Sequence, residues 1–378
     1  MSAEDQFEAN NFTFMARAIR LAKKGLYTTS PNPRVGCVIV KDNNIIGEGY
    51  HQKSGQPHAE INALRSIQSG SANTATAYVT LEPCSHTGKT PPCANALIDA
   101  QISRVVIAMQ DPNPNVSGQG IQRLRDAGIE VQVGILEKQA RLLNLGFIKR
   151  MEQGEPWVRI KLAMSLDGRT AMASGESQWI TGSDARQDVQ QLRARADAIL
   201  TGSGTVVADD PSLNIRITPN ELNLDKGLKY EQPLRVVLDS ELQISTQAKM
   251  FSLEGDVRVY TCVDNKQKLH ALNKVGADVV LMKNRNNRLP LKSVLQDLAN
   301  QQINEVHVEA GATLCGALLQ EKLVDEIIIY MAPSIMGSNA RGLFNLPELE
   351  QLKDKIDLKI LDISAVGDDW RLSIVPVS

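Results

Sequence analysis

One part of the chain carries the residue types that a catalytic metal site needs. His58 and Glu60 stand two positions apart, and Cys84 and Cys93 follow at a distance. A structural zinc site normally has four protein ligands, whereas a hydrolytic site keeps three and leaves the fourth position to water. One imidazole and two thiolates therefore predict a zinc ion bound by His58, Cys84 and Cys93 that activates a water molecule.

Glu60 is the acid–base group in this prediction. The order His-x-Glu, then Pro-Cys, then a second cysteine is typical of zinc deaminases that act on nucleobase-like rings. Zinc lowers the pKa of bound water, so that hydroxide can attack the ring carbon bearing the amine. Glu60 would take the proton from water and deliver it to the ring nitrogen and the departing ammonia. The pattern thus predicts hydrolytic deamination.

The first ligand and the acid are expected on one helix. Residues 58–69 place apolar side chains at helical spacing, and Gly70 follows as a stop signal. His58 and Glu60 would then share the first helical turn. The helix dipole is positive at that end.

The two cysteines are expected at the ends of other elements. Residues 77–81 predict a buried strand that Pro83 cannot continue, so Cys84 should lie where the strand ends. A second helix is expected over 93–100, and its dipole favours a thiolate at Cys93.

The spacing between the cysteines departs from the commonest deaminase pattern, Cys-x-x-Cys. Residues 85–92 are interposed here and must bulge out between the two ligands. The run from Glu82 to Cys93, EPCSHTGKTPPC, resembles the zinc motif of the bifunctional deaminase/reductase family of riboflavin biosynthesis. The run SPNPRVG at 30–36 resembles that family too, and the resemblance covers essentially the whole chain.

Length and composition set the frame. A length of 378 residues predicts two domains. The sequence contains no stretch of about twenty apolar residues, so it predicts no membrane span. A net charge of −2 argues against nucleic-acid binding. The N-terminus lacks the features of a secretory signal. Five cysteines, two of them assigned to metal, indicate the cytoplasm.

Strands alternate with helices in both halves, which predicts α/β domains over 1–151 and 152–378. The expected strands are 35–40, 45–50, 77–81, 104–109, 129–133, 157–164, 198–200, 234–238, 257–261, 305–308 and 326–330. The expected helices are 12–24, 58–69, 93–100, 121–127, 137–150, 186–195 and 312–321. The resemblance implies a cytidine-deaminase-like three-layer α/β/α domain followed by a dihydrofolate-reductase-like α/β domain.

Two glycine-containing segments, 201–205 and 309–316, each follow a predicted strand. Neither completes the Gly-x-Gly-x-x-Gly fingerprint, which disfavours a Rossmann domain. Glycine between a strand end and a helix start nevertheless leaves backbone amides free for phosphate.

The family resemblance implies what the second half does. The deaminated pyrimidine, still carrying a ribosyl phosphate, would have its ribose reduced to a ribityl chain by NADPH. Lys161 is a candidate acid for this step, and Glu309 is the other polar group expected at the substrate. The cofactor-lining residues implied by the resemblance are Ala163, Trp179, Thr205, Asp209, Ser240, Gly311, Ala312, Thr313, Leu314, Cys315, Gly316 and Ala317.

The resemblance also implies the substrate-binding residues of both domains. The arginines among them would be phosphate partners. They are Asn32, His51, Ser177, Arg193, Leu213, Arg216 and Glu309. The substrate would be a phosphorylated pyrimidine, and the family suggests a homo-oligomer.

Plainer interpretations stand beside these assignments. Asn32 could be only a turn residue, His51 a polar strand end and Arg193 part of a solvated helix face. Two other functions also stay open: an RNA or free-nucleoside deaminase, and a binding module in which the metal is structural. The long cysteine spacing, the charge and the large second domain argue against the first. The missing fourth ligand and the presence of Glu60 argue against the second.

Overall fold

A computed structural model describes residues 3–68, 70–85, 92–114, 116–283, 288–347 and 349–377. The expected bulge between the cysteines, with His86, therefore lies mostly outside the described residues. The chain forms two compact units. The first comprises residues 1–154 and 223–230, and the second comprises residues 155–222 and 231–378.

The first unit contains a five-stranded sheet and six helices. Its strands are β1 (Gly36–Lys41), β2 (Asn44–Tyr50), β3 (Thr76–Val79), β4 (Arg104–Ile107) and β5 (Glu130–Val133). Its helices are α1 (Ala3–Lys23), α2 (Ala59–Arg65), α3 (Cys93–Asp99), α4 (Gln119–Asp126), α5 (Glu137–Leu143) and α6 (Leu145–Gln153). The strand order is β2-β1-β3-β4-β5. Strand β1 runs antiparallel to both neighbours, and β3, β4 and β5 are parallel.

Two glycines show that helices cover both faces of this sheet. A Cβ at Gly36 would lie 2.0 Å from the Ala18 carbonyl oxygen of α1, and one at Gly49 would lie 2.3 Å from the Ala63 nitrogen of α2. Gly36 is paired with Tyr50, so Gly49 faces the opposite side of the sheet. Helices α1 and α2 therefore lie on opposite faces, and the predicted three-layer arrangement is confirmed.

Helix α2 is shorter than predicted. It ends at Arg65, not near residue 69. The Ser66 hydroxyl donates to the Ala63 carbonyl at 2.8 Å and accepts the Glu48 amide of β2 at 2.8 Å. A serine side chain that bonds to nearby backbone competes with the helix. The chain thus leaves the helix before it reaches Gly70.

The single helix predicted over 137–150 is divided into α5 and α6 at Asn144. The Asn144 side chain accepts the Arg34 amide at 2.8 Å and donates to the Arg34 carbonyl at 3.0 Å. The Arg34 guanidinium donates to the Leu143 carbonyl at 2.7 Å. This buried exchange ties the break between the helices to the loop that contains Asn32.

Glu82 fixes the backbone that leads to Cys84. Its buried carboxylate accepts four backbone amides at 2.9 to 3.1 Å: those of Gly118, Gly120 and Ile121 at the start of α4, and that of Asp111 after β4. A Cβ at Gly120 would lie only 1.9 Å from the Pro83 carbonyl oxygen, so α4 contacts this segment closely. A carboxylate near the start of a helix satisfies amides that have no partner within the helix.

The second unit has a larger sheet. Its strands are β6 (Trp157–Ser165), β7 (Arg169–Ala171), β8 (Ala198–Gly202), β9 (Leu234–Leu238), β10 (Val257–Thr261), β11 (Ala277–Leu281), β12 (Glu305–Val308), β13 (Glu326–Ala332), β14 (Arg341–Gly342), β15 (Leu358–Val366) and β16 (Asp369–Pro376). Its α-helices are α7 (Ser183–Arg195), α8 (Ser203–Asp209), α9 (Lys266–Lys274), α10 (Leu291–Asn300) and α11 (Ala312–Gln320). Two 3-10 helices cover Lys249–Ser252 and Leu352–Asp354.

Nine of these strands form one sheet in the order β11-β10-β9-β8-β12-β6-β13-β16-β15. The first seven strands in this order, which end with β13, are parallel to one another. Strand β16 is antiparallel to β13, and β15 is antiparallel to β16. The carboxyl ends of β9, β8, β12 and β6 consequently lie side by side. In open α/β sheets ligands bind at this edge.

The structure departs from the expected division in two places. Helix α6 continues to Gln153, so the first unit extends past residue 151 to Gly154. Residues 223–230 belong to the first unit although they lie far along the chain. Leu228 packs against the core of that unit. Among the described helices, none has the length and apolar content needed to span a bilayer.

We expect Glu82→Gln to destabilise the first unit and weaken zinc retention. One amide oxygen cannot accept all four backbone amides, and a buried donor left without a partner costs about 1–3 kcal/mol. Denaturant unfolding and zinc content measured during chelator titration test this. Glu152→Gln, which removes a surface pair with Arg141, is the control and should change stability by less than about 1 kcal/mol. Equal stability and zinc retention in the two variants would contradict the role of Glu82.

Candidate active sites

The three predicted zinc ligands come from separate elements and converge in the first unit. His58 is the residue that precedes α2, Cys93 is the first residue of α3, and Cys84 lies beyond β3. The His58 Nδ1 atom is 3.6 Å from the Cys84 Sγ atom and 3.3 Å from the Cys93 Sγ atom. All three ligand atoms lie within 4.8 Å of one another. An imidazole and two thiols at this separation fit one zinc ion with a fourth position left for water.

The pKa values of the two cysteine thiols shift in opposite directions. Hydrogen bonding from the Cys93 thiol, together with His58, lowers the pKa of Cys84. The Cys93 backbone amide also donates to the Cys84 sulfur at 3.3 Å. The same sharing of a proton, with burial, raises the pKa of Cys93. Cys84 is therefore the more acidic thiol of the pair, and zinc binding requires that both thiols lose their protons.

Glu60 lies beside the ligands in the first turn of α2, as predicted. Its side chain is buried, with 3% of its surface exposed. Burial, and then the negative charge on Cys84, raise the pKa of Glu60 to about 7. A carboxyl group that takes up and releases a proton near neutral pH suits general acid–base catalysis.

His51 and Asn32 lie next to the same site. The His51 and His58 rings are 5.2 Å apart, and the Asn32 amide nitrogen is 3.1 Å from His51 Nε2. His51 Nδ1 is 3.2 Å from the Pro57 carbonyl oxygen, so Nδ1 donates and Nε2 accepts. Burial lowers the pKa of His51 to about 4, which keeps its ring neutral. The structure thus brings these two substrate candidates to the metal ligands, and their contact with substrate stays a prediction.

In the second unit the cofactor candidates follow adjacent strands. Ala163 lies on β6, Ser240 follows β9, Thr205 and Asp209 lie on α8 after β8, and Gly311 precedes α11 after β12. The order β9-β8-β12-β6 brings these four segments to one edge of the sheet. A Cβ at Gly202 would lie 3.5 Å from the Leu314 side chain, which shows that the β8 and β12 connections meet.

Not every residue of the predicted cofactor set faces solvent. Within the run 311–317, Gly311 and Thr313 are exposed, but Cys315 and Gly316 are buried. Gly316 packs against the Asn345 backbone. Trp179 is 71% exposed, and the Arg186 guanidinium lies 4.7 Å from its ring centre.

Lys161, Arg193 and Glu309 form a charged group beside that edge. Arg193 donates two hydrogen bonds to Glu309, at 2.6 and 2.9 Å, and one to the Asn214 carbonyl at 2.9 Å. Burial opposes ionisation of Glu309, but Arg193 holds its pKa well below the ordinary value. Burial lowers the pKa of Lys161, which makes its ammonium a better proton donor.

The remaining substrate candidates differ in accessibility. Arg216 is exposed and close enough to Arg193 and Glu309 for each to affect its pKa, which burial lowers. Ser177 is half-buried in the segment after β7. Leu213 is only 2% exposed and belongs to a hydrophobic cluster, so its side chain faces the core.

The sequence interpretation missed two buried polar residues of these sites. Glu82 gave a signal, because an acidic residue directly precedes Pro-Cys at a strand end. His307 gave only a weak signal. It lies between two valines on β12, and alternation alone did not show that the face carrying the histidine is also buried. It is fully buried, and its Nε2 lies 3.4 Å from the Glu309 carboxylate.

Two family models match the chain, one in each half. The cytidine and deoxycytidylate deaminase zinc-binding region matches residues 9–109, and the RibD C-terminal domain matches residues 156–372. The riboflavin biosynthesis protein RibD of Haemophilus influenzae is 50% identical over 375 residues, which is 98% of this chain and 99% of that protein.

Solved structures agree. Acinetobacter baumannii RibD is 48% identical, with a TM-score of 0.89 over 98% of this chain and 100% of that one. A Thermotoga maritima diaminohydroxyphosphoribosylaminopyrimidine deaminase/5-amino-6-(5-phosphoribosylamino)uracil reductase is 33% identical, with a TM-score of 0.85 over 98% of this chain and 100% of that one. Matches that span both units, together with the geometry of the two sites, lead to one conclusion: the chain belongs to the RibD family, the bifunctional zinc deaminase/reductases of riboflavin biosynthesis.

Proposed function

We propose that the substrate is 2,5-diamino-6-ribosylamino-4(3H)-pyrimidinone 5′-phosphate. The first unit removes its ring amine, and the second reduces the ribosyl chain with NADPH to give 5-amino-6-ribitylamino-uracil 5′-phosphate. The observation that carries the first step is the convergence of three ligand atoms within 4.8 Å beside the buried Glu60. The Thermotoga maritima relative, whose name states both reactions, supports the order of the steps.

His58, Cys84 and Cys93 hold one zinc ion in this proposal. When bound, zinc lowers the pKa of its water, so that hydroxide is available to attack the ring carbon that carries the amine. Glu60 accepts one proton from that water and delivers it to the ring nitrogen. It then takes the second proton from the hydroxyl added to the ring carbon and passes it to the amine, which leaves as ammonia. His51 and Asn32 orient the pyrimidine, and His51 Nε2 accepts the Asn32 side-chain amide and so fixes its position.

The edge of the second sheet binds NADPH in this proposal, and the nicotinamide supplies hydride to the ribose carbon attached to the amine. The amides and side chains of 311–314 and 202–205 suit its phosphates. Lys161 donates the proton to the ribose oxygen as the ring opens. Arg193 is already paired with Glu309, so its role in this proposal is to hold that carboxylate in position. Arg216 is more accessible and binds the substrate phosphate.

The proposal also includes a homo-oligomer in the cytoplasm. Strand β15 is the edge of the nine-stranded sheet. Ile360 and Ile363 are 52% and 53% exposed, and they pair with Ile374 and Leu372 of the core-facing side of β16. An apolar stripe on an edge strand favours pairing with another chain. None of the five cysteines forms a disulfide, which agrees with a reducing compartment.

We expect Glu60→Gln to keep one zinc per chain and to lower deamination by about 10²–10⁴-fold, because the amide cannot transfer the proton. Ammonia release from the diaminopyrimidine and elemental analysis measure the two quantities. NADPH oxidation on the deaminated substrate should be unchanged, and Glu137→Gln on the exposed face of α5 is the control. Deamination at the normal rate in Glu60→Gln would refute its assigned role.

Lys161→Met should lower the reductase rate by about 10²-fold or more, because general acid catalysis contributes at least that much. Deamination should be unaffected, since Lys161 lies in the other unit. NADPH oxidation with the deaminated substrate measures the effect. Lys266→Met, an exposed position at the start of α9, is the matched control. A Lys161→Met variant with full reductase activity would assign the proton to another group.

Ile363→Glu should shift the protein to a monomer, because the change places a charge in the apolar stripe. Light scattering coupled to size-exclusion chromatography gives the mass in solution. Lys359→Glu lies on the same strand but pairs with Val375 on the opposite face, and it should leave the assembly intact. If Ile363→Glu has the same mass as the parent protein, the interface is elsewhere.

A further inference from the structure

Residues 223–230 pack on the first unit, although the residues before and after them belong to the second. The Tyr50 hydroxyl donates to the Asp225 carboxylate at 2.7 Å, and the Lys24 ammonium lies 3.2 Å from it. The Lys24 ammonium also lies 5.6 Å from the centre of the Tyr50 ring. Leu228 adds an apolar contact with the core. This short segment is therefore anchored to the deaminase unit by an acid, a phenol and an ammonium.

The Tyr50 contact is the important one. The side chains of Lys24 and Asp225 are 49% and 43% exposed, and a pair exposed to that extent contributes little. Tyr50, in contrast, is only 5% exposed. A buried hydroxyl that loses its acceptor bears the full cost of desolvation. Asp225 therefore matters mainly as the acceptor that keeps Tyr50 in place.

Tyr50 is the last residue of β2 and directly precedes His51. Its carbonyl accepts the Asn62 side chain of α2 at 2.9 Å, so both ends of the residue are fixed. His51 is 2% exposed, contacts Asn32 and lies edge-on to the ring of the metal ligand His58. A displacement of Tyr50 is thus transmitted through one peptide bond to the group that lines the site.

We infer that Asp225 is a positioning residue for deamination: it holds Tyr50 so that His51 and Asn32 present their polar atoms to the pyrimidine. The deaminase site is on this view completed by a segment encoded in the reductase half of the sequence. The inference rests on the proposed contact of His51 and Asn32 with substrate. Asp225 itself touches neither substrate nor metal.

The test uses the full-length, zinc-loaded protein and steady-state deamination of the phosphoribosylated diaminopyrimidine. Asp225→Ala should raise KM several-fold, with about tenfold, the equivalent of one buried hydrogen bond, as the upper limit, and change kcat less. Asp225→Asn should restore KM to within about twofold, because its amide oxygen still accepts the Tyr50 hydroxyl. Lys226→Ala, an exposed position in the same segment, should match the parent protein.

Tyr50→Phe provides the second line of the test. It should reproduce the higher KM, and adding Asp225→Ala to it should raise KM no further, because the two residues act through one contact. Zinc content and the reductase rate should stay at parent values in every variant. The inference is overturned by an unchanged KM in Asp225→Ala, by additive effects in the double variant, or by failure of Asp225→Asn to restore KM.

Asn32→Ala separates this inference from the proposed function. An unchanged KM in Asn32→Ala would overturn the assigned substrate contact, and with it the reason for the effect of Asp225. A raised KM in Asn32→Ala beside an unchanged KM in Asp225→Ala would overturn the positioning role alone.

Discussion

The deaminase half depends on one convergence: an imidazole and two thiols from three separate segments must meet within the span of one ion. The start of α2 supplies His58, the start of α3 supplies Cys93, and the chain beyond β3 supplies Cys84. Metal alone does not create this arrangement, because Glu82 already ties the Cys84 segment to the start of α4 through three backbone amides and to the chain after β4 through a fourth. Glycines at the contacts of β1 and β2 let both helix layers approach the sheet closely. The packing therefore brings together a ligand set in which bound zinc would stabilise the deprotonated form of both thiols.

The reductase half uses a different solution to the same problem. Parallel strands bring loops from distant parts of the chain to one edge, and the charges there neutralise each other. Arg193 satisfies Glu309, and Lys161 lies close enough for both to influence its ammonium. His307 on β12 is fully buried, and its Nε2 lies 3.4 Å from the carboxylate of Glu309, the residue after that strand. Arg216 stays exposed next to this neutralised group, which is why we propose it as the partner of the substrate phosphate.

Much of this could be predicted from the sequence where a pattern is local. The local spacing of His58, Cys84 and Cys93 predicts the cluster that the structure brings together, and short apolar runs predict the buried parallel strands. The break at Asn144 was not, because it depends on a hydrogen-bond exchange with Arg34, more than a hundred residues away in the sequence. Strands β15 and β16 were missed as well. A register irregularity between Ile360 and Asp362 obscures the alternation in β15, and its apolar residues face outward. A structural feature that depends on contacts between residues far apart in sequence cannot be predicted from the pattern of neighbouring residues.

The placement of residues 223–230 has a consequence for how such two-activity chains can be divided during evolution. A genetic cut in the linker after Gly154 would send this segment away with the other product. The separated N-terminal protein would lose the acceptor of the Tyr50 hydroxyl and the apolar cover that Leu228 provides. A stand-alone descendant would then need substitutions on the surface that residues 223–230 leave uncovered. Fission of the gene and change on this surface should accordingly occur together.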